Sequence, residues 1–228
     1  MNKLEKAIKL AKITSFLEKY NIENYTVNKD FTVDVNGDVS LRDLNLYEIP
    51  VQFGRVSGYF DISYNKLTSL KGCPREVGGD FWICVNPLKN LNYSPKIVHQ
   101  NYDCSRCDIT SLEGCTKKIG GVLRMYNCAK LKTLNGCPRK IKSSFDCSNC
   151  YELESLEGCP EDVGGSFAAY ECVNLKTLKY IPEKIKDALF LRGCCYIKPT
   201  DLKEIKNKSN FRIISDFFNG YLKDFKGA

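Results

Sequence analysis

Two Cys-x-x-Cys pairs, Cys104 with Cys107 and Cys147 with Cys150, have the spacing at which paired thiolates hold structural zinc. The chain carries thirteen cysteines among 228 residues, which in a secreted protein would instead read as a disulfide framework. Other chemistry-bearing residues are sparse. His99 is the single histidine, and no glycine-rich loop ending in Lys-Ser or Lys-Thr is present to cradle a phosphate. Asp61, Asp103 and Asp146 recur, but at separations of 42 and 43 residues. Two carboxylates tuned against each other for acid and base work would need to be near neighbours in different environments. These residues point away from an enzyme and call for no metal and no cofactor.

What positions the cysteines is a repeat. Phe60, Phe81, Tyr102, Leu123, Phe145, Phe167 and Leu189 follow one another at intervals of 21, 21, 21, 22, 22 and 22. A period this short marks a solenoid, whose units bury their apolar faces only against their neighbours. Each unit opens with alternating residues, such as Phe60-Asp61-Ile62-Ser63, which predicts a short strand with Asp61 and Ser63 facing out. A return half follows, with leucines at 70, 91, 112, 134, 156 and 178 and then Gly-Cys-Pro or a variant. In this phase Cys107, Cys128, Cys150, Cys172 and Cys194 take the position held by Asn65 and Asn86. Cys104 and Cys147 are inward on strands, and Cys73, Cys115, Cys137 and Cys159 inward on returns, leaving Cys84 and Cys195 unexplained. The two Cys-x-x-Cys pairs then lie two strands apart, ~10 Å at ~4.8 Å per strand, too far for one zinc ion. Neighbouring ladder cysteines are close enough for disulfides, so a reducing compartment is the expected reason for unpaired thiols.

The phrases Phe60-x-Ile62-x-x-Asn65-x-Leu67 and Leu123-x-Met125-x-x-Cys128 resemble the leucine-rich repeat. More narrowly, Leu67-Thr68-Ser69-Leu70-Lys71-Gly72-Cys73-Pro74 and Val77-Gly78-Gly79-Asp80-Phe81 resemble a short variety carried by tailed bacteriophages and giant viruses. The resemblance implies an α/β solenoid, a curved parallel sheet on the concave side with helical caps at both ends. It covers 39–195, with 1–38 as an N-terminal helix and hairpin cap and 196–228 as a C-terminal helical cap. It also implies a host protein as partner, such as a defence protein that the solenoid blocks. Units four to six carry one extra residue before Leu131, Leu153 and Leu175, and unit two offers Asn92-Tyr93-Ser94-Pro95 in place of Gly-Cys-Pro, so coil geometry should be uneven there.

Residues 2–20 predict an amphipathic helix with Leu4, Ala7, Ile8, Ala11 and Leu17 on its apolar face. Its regularly spaced lysines interrupt any secretory apolar run, and no stretch has the ~20 apolar residues of a membrane span, so a cytoplasmic protein without a membrane partner is expected. A hairpin is expected around Asn36-Gly37. Phe211, Ile214, Phe217, Phe218, Leu222 and Phe225 predict a final helix.

Two surfaces are candidates for binding. The outward positions of the strands gather Tyr64, Trp82, Asp103, Arg106, Arg124, Tyr126, Tyr170, Phe190 and Arg192, and Trp, Tyr and Arg dominate protein-binding hot spots. Residues 117–142 hold Lys117, Lys118, Arg124, Lys130, Lys132, Arg139, Lys140 and Lys142 with no acid, a local charge of +8 in a chain of net +7. Such a patch suits nucleic acid or an acidic protein. The expected activity is non-catalytic recognition of a protein on the concave face, with the basic patch as the alternative.

Overall fold

Each coil turns through tight corners, and neighbouring coils hydrogen-bond along the short strands between them. The computed structural model of the protein describes residues 1–206, 211–215 and 219–220. In chain order the elements are α1 (Lys3–Lys19), β1 (Tyr25–Val27), β2 (Thr32–Val35), β3 (Val39–Ser40), β4 (Gln52–Val56), β5 (Phe60–Asp61), β6 (Glu76–Val77), β7 (Phe81–Trp82), β8 (Ile97–Val98), β9 (Tyr102–Asp103), β10 (Lys118–Ile119), β11 (Leu123–Arg124), β12 (Lys140–Ile141), β13 (Phe145–Asp146), β14 (Asp162–Val163), β15 (Phe167–Ala168), β16 (Lys184–Ile185), β17 (Ala188–Phe190), α2 (Pro199–Lys206), β18 (Arg212–Ile214) and β19 (Asn219–Gly220).

The result is a parallel β-solenoid. A front sheet of ten strands runs β3-β5-β7-β9-β11-β13-β15-β17-β18-β19, parallel throughout except for its last pair. Return strands form a second ladder, β1-β2-β4-β6-β8-β10, and a separate third one, β12-β14-β16. Register follows the repeat: Phe60 lies beside Phe81, Phe81 beside Tyr102 and Leu123 beside Phe145. The core is one continuous apolar column in which Phe60, Phe81, Tyr102, Phe145 and Phe167 are fully buried. Their rings meet in sequence, 6.1 Å from Phe60 to Phe81, 5.2 Å from Phe81 to Tyr102 and 5.0 Å from Phe145 to Phe167.

Four expectations are corrected. The α/β description fails within the coils, because the return halves carry strands and turns, and the two helices among the described residues lie outside 39–195. Gly72, Gly114, Gly136 and Gly158 have φ between 83° and 96°, and prolines follow at Pro74, Pro138 and Pro160, so no return half has an unbroken run long enough for a helix. The hairpin joins β1 to β2 through Asn28–Phe31, closed by Asn28 N–H to Thr32 O at 2.8 Å, and Asn36-Gly37 instead forms the corner between β2 and β3. Residues 212–214 form a strand beside β17 where a helix was expected; Phe217, Phe218, Leu222 and Phe225 lie outside the described residues. Helix α1 starts at a reciprocal cap in which the Asn2 side chain accepts from Glu5 N–H and the Glu5 carboxylate accepts from Asn2 N–H, both at 2.8 Å. It enters the core through Ile13 and Leu17, whereas Leu4, Ala7, Ile8 and Ala11 are exposed.

A polar ladder runs beside the front sheet. Asn65 accepts from Leu44 and Leu46 N–H through Oδ1 and donates through Nδ2 to Leu41 O in the preceding coil, at 2.8 Å. Asn86 donates likewise to Ile62 O. From the next coil onward cysteine keeps the donor half of this role: Cys107, Cys128, Cys150, Cys172 and Cys194 donate to the carbonyls of Ile83, Cys104, Met125, Cys147 and Ala169 at 3.0–3.3 Å. To deliver that side chain beneath the preceding coil, the residue before it turns left-handed. Tyr64, Val85, Arg106, Asn127, Asn149 and Glu171 all have φ between 52° and 60°, and Gly193 has 78°. Val85 is the costly member, since a β-branched side chain is a true outlier there.

The coil that carries Asn92-Tyr93-Ser94-Pro95 compensates for its own departures. Tyr93 occupies the glycine's left-handed corner at φ 71°, and Ser94 stands where the coils on either side have Cys73 and Cys115. The Ser94 hydroxyl donates to Leu91 O and lies 2.9 Å from the hydroxyl of Tyr102, the one opener in the column with a polar atom to satisfy.

Replacing Val85 with asparagine, the residue found at 127 and 149, should relieve ~1 kcal/mol of left-handed strain and raise Tm by roughly 2–4 °C in a chain this long. A lower Tm would show that Val85 contributes packing worth more than its strain. Tyr102→Phe and Ser94→Cys should each lower stability by about 1–2 kcal/mol, with the double variant losing at least ~0.5 kcal/mol less than the sum in denaturant melts. Strict additivity would mean the two hydroxyls are satisfied separately.

Candidate functional site

The front sheet is built from a recurring Asp-x-Ser turn. Asp61, Asp103 and Asp146 accept the N–H of Ser63, Ser105 and Ser148 at 2.8–3.0 Å. Ser105 and Ser148 then accept through their hydroxyls from Tyr126 and Tyr170 N–H, one coil onward, at 3.1 Å. Asp61 and all three serines are buried, although strand alternation places them on the outward side. Their alternation was right, but the neighbouring coils cover them. Cys84, in the serine column, lies 3.1 Å from the Ser63 hydroxyl.

Charged residues of this face are engaged with one another. Arg124 spans Asp103 at 3.6 Å and Asp146 at 3.7 Å, and Arg42 pairs with Asp61 at 3.6 Å while lying over the Tyr64 ring at 4.3 Å. In each pair the arginine is about half exposed, so the attraction is screened and contributes little to stability. The aromatics form two clusters. Tyr59 and Trp82 are 5.4 Å apart, and Tyr170 and Phe190 are 5.2 Å apart. Tyr64 is exposed in the coil of Tyr59 and Tyr126 between the two clusters, with Arg106 and Arg192 also exposed. Burial raises the Tyr170 phenol above its ordinary range, partly offset by the Arg192 charge. Sequence phase did not nominate Tyr59, which precedes its opener, or Arg42, which stands in the Ser63 column but in the coil before the seven counted units.

The basic stretch 117–142 is divided. Lys130 and Lys132 pair with Asp108 at 3.0 Å and Glu152 at 3.5 Å. Arg139 bonds Glu161 at 2.8 Å and Lys140 bonds Asp162 at 2.7 Å. Acids from adjacent coils therefore offset four of the eight cations, and Arg124 is held on the front sheet. Lys117, Lys118 and Lys142, together with the paired Lys140, line a cleft on the return side, near His99, whose ring lies 3.0 Å from Glu76.

The cysteines are donors in the coil stack. In each Cys-x-x-Cys pair the two thiols serve opposite neighbours: Cys104 donates to Arg124 O ahead and Cys107 to Ile83 O behind, and Cys147 and Cys150 repeat this with Ala168 O and Met125 O. Among the described residues, no group of three potential ligands is placed to hold a metal. Burial pushes the thiols of Cys115 and Cys159 up to about 12, and that of Cys73 higher still, which withholds the reactive thiolate. Among the described residues, no helix is long and apolar enough to cross a membrane. Compared with family models, curated proteins and solved structures, the chain matches none.

Titration of the folded protein with a thiol-specific chromogenic reagent at pH 8 should show one fast group, Cys195, the only exposed cysteine among the thirteen. Cys84, Cys137 and Cys159 should follow slowly, and the nine buried thiols should react only on unfolding. Fast labelling of Cys107 or Cys150 would place the ladder on the outside.

Proposed function

We infer that this protein is a non-catalytic recognition scaffold that binds a protein partner across its front sheet. The observation that supports this most is the placement of Tyr59, Tyr64, Trp82, Tyr126, Tyr170 and Phe190 along one face, with Arg106 and Arg192 exposed beside them. Rigid aromatic rings beside arginines supply the large contact area that interface hot spots use. Such a face lies on a stack whose polar groups are already satisfied, so binding would not require refolding.

The resemblance of its repeats to the phage-borne leucine-rich variety supports a host protein as the partner, met in the host cytoplasm and blocked by occupation of its surface. Helix α1 then serves to close the first end of the stack, while β18 and β19 continue the front sheet beyond α2 at the other. Against binding of nucleic acid or an acidic protein across the whole basic stretch stands the pairing of Lys130, Lys132, Arg139 and Lys140 with acids of adjacent coils.

Trp82→Ala combined with Tyr126→Ala should abolish capture of the partner from host lysate while leaving Tm within a degree or so, since neither side chain is fully buried. Capture by the unaltered protein should change little with ionic strength, whereas phosphate-backbone binding falls steeply with salt. Full capture by the double variant would remove the front face as the binding surface.

A further inference from the structure

The coils change length at one point, and the two sheets respond differently. Intervals between openers are 21 residues up to Tyr102→Leu123 and 22 from Leu123→Phe145 onward. The added residue lies between the ladder cysteine and the next leucine, Cys107-x-Ile109 becoming Cys128-x-x-Leu131. On the front sheet β11 pairs in register with both β9 and β13, so that sheet is continuous. On the return side β10 and β12 do not pair, and one ladder ends where another begins. Gly78, His99, Gly120, Gly164 and Lys186 each donate N–H to the preceding coil at 2.9–3.0 Å. Lys142, at the equivalent position, has no such partner among the described residues.

A cleft of about 400 Å³ opens here, lined by His99, Lys117, Lys118, Lys140 and Lys142 with no acid among its lining residues. Lys140 is held by Asp162, Lys117 reaches the carbonyl of Gly136, and His99 faces Glu76. Lys118 and Lys142 make no ion pair among the described residues. Glu76 on β6 and Asp162 on β14 bound the positive region on its two sides, four coil steps or ~19 Å apart, with Lys118 and Lys140 one step apart between them. That spacing of the lysines suits a compact anion, and the phosphates of a longer nucleic-acid strand would meet those carboxylates.

We propose that the cleft between β10 and β12 binds a diphosphate group, through the Lys118 and Lys142 ammonium groups and the unpaired Lys142 N–H, with Lys117 and Lys140 adding charge. Lysines supply point charges for phosphoryl oxygens, and a fixed backbone N–H adds direction. The site is separate from the front sheet.

The test is calorimetric titration of the full chain with pyrophosphate at ~0.1 M salt, where long-range attraction between surface charges is largely screened. Saturable one-to-one binding is expected, at least tenfold tighter than for orthophosphate. Lys118→Gln with Lys142→Gln should weaken it tenfold or more without lowering Tm, while Lys130→Gln with Lys132→Gln, an equal loss of charge outside the cleft, should leave it unchanged. A nucleoside diphosphate titrated in parallel identifies the source: tighter binding than pyrophosphate points to a nucleotide and equal binding to the free anion, and either supports the diphosphate site. Equal losses in both pairs of variants, no saturation at millimolar pyrophosphate, or an RNA oligonucleotide bound at the cleft that pyrophosphate does not displace would overturn it.

Discussion

A coil of this protein cannot satisfy its own backbone. Its strands are two or three residues long in most coils, so each buried N–H and C=O must find a partner in the coil above or below. Front-sheet rungs do this at nearly constant length, from Phe60 N–H to Asp80 O at 2.8 Å through Tyr102 to Val122 O at 2.8 Å and on to Phe145 with Ser166 O at 2.9 Å. The asparagine and cysteine ladder serves the carbonyls that the rungs leave over. Leaving a buried carbonyl unpaired costs about 1–3 kcal/mol, comparable to the apolar burial of a large side chain, which makes the repeat interval far less tolerant than the identity of any surface residue. Left-handed residues before the ladder, including the strained Val85, are consequences of the same demand.

This demand explains what could be read without coordinates. Burial of the openers, the ladder role of Cys107 and its successors, and the opposed use of each Cys-x-x-Cys pair follow from counting, because a one-residue slip would reverse every strand side chain. Departures from the repeat were legible only as places of uneven coil geometry, at the added residue before Leu131 and at Asn92-Tyr93-Ser94-Pro95; the end of the return ladder and the contact of Ser94 with Tyr102 required coordinates. Other features depend on neighbours that periodicity does not encode. Strands such as Glu76–Val77 are too short to alternate visibly, and Asp61 and Ser63 face outward yet are covered by adjacent coils. In α1 the spacing of Leu4, Ala7, Ile8 and Ala11 is as helical as that of Ile13 and Leu17, but only the latter pair reaches the core. For the candidate surfaces, composition identified the aromatic rows, while the pairing of Lys130, Lys132, Arg139 and Lys140 required knowing which acids stack one coil away.

The two faces therefore differ in kind. The front sheet is continuous, internally satisfied and rich in aromatic surface, suited to a broad protein contact. The return side is interrupted once, and at that interruption a backbone donor and several lysines lie together. A single added residue, absorbed at the corner after Cys128, separates the two behaviours without disturbing the core, since Leu123, Met125 and Leu131 remain fully buried on either side of it.

Residue-resolved amide hydrogen exchange tests this division most directly. Front-sheet amides of Phe81, Tyr102, Leu123 and Phe145 should exchange with one shared protection across the change in coil length, as should Gly120 and Gly164 on the return side, while Lys142 exchanges at nearly the rate of an open chain. Strong protection of Lys142, or a loss of protection at Leu123 and Phe145, would mean that the coils adjust on the opposite face and that neither the continuous front sheet nor the open return ladder describes the molecule.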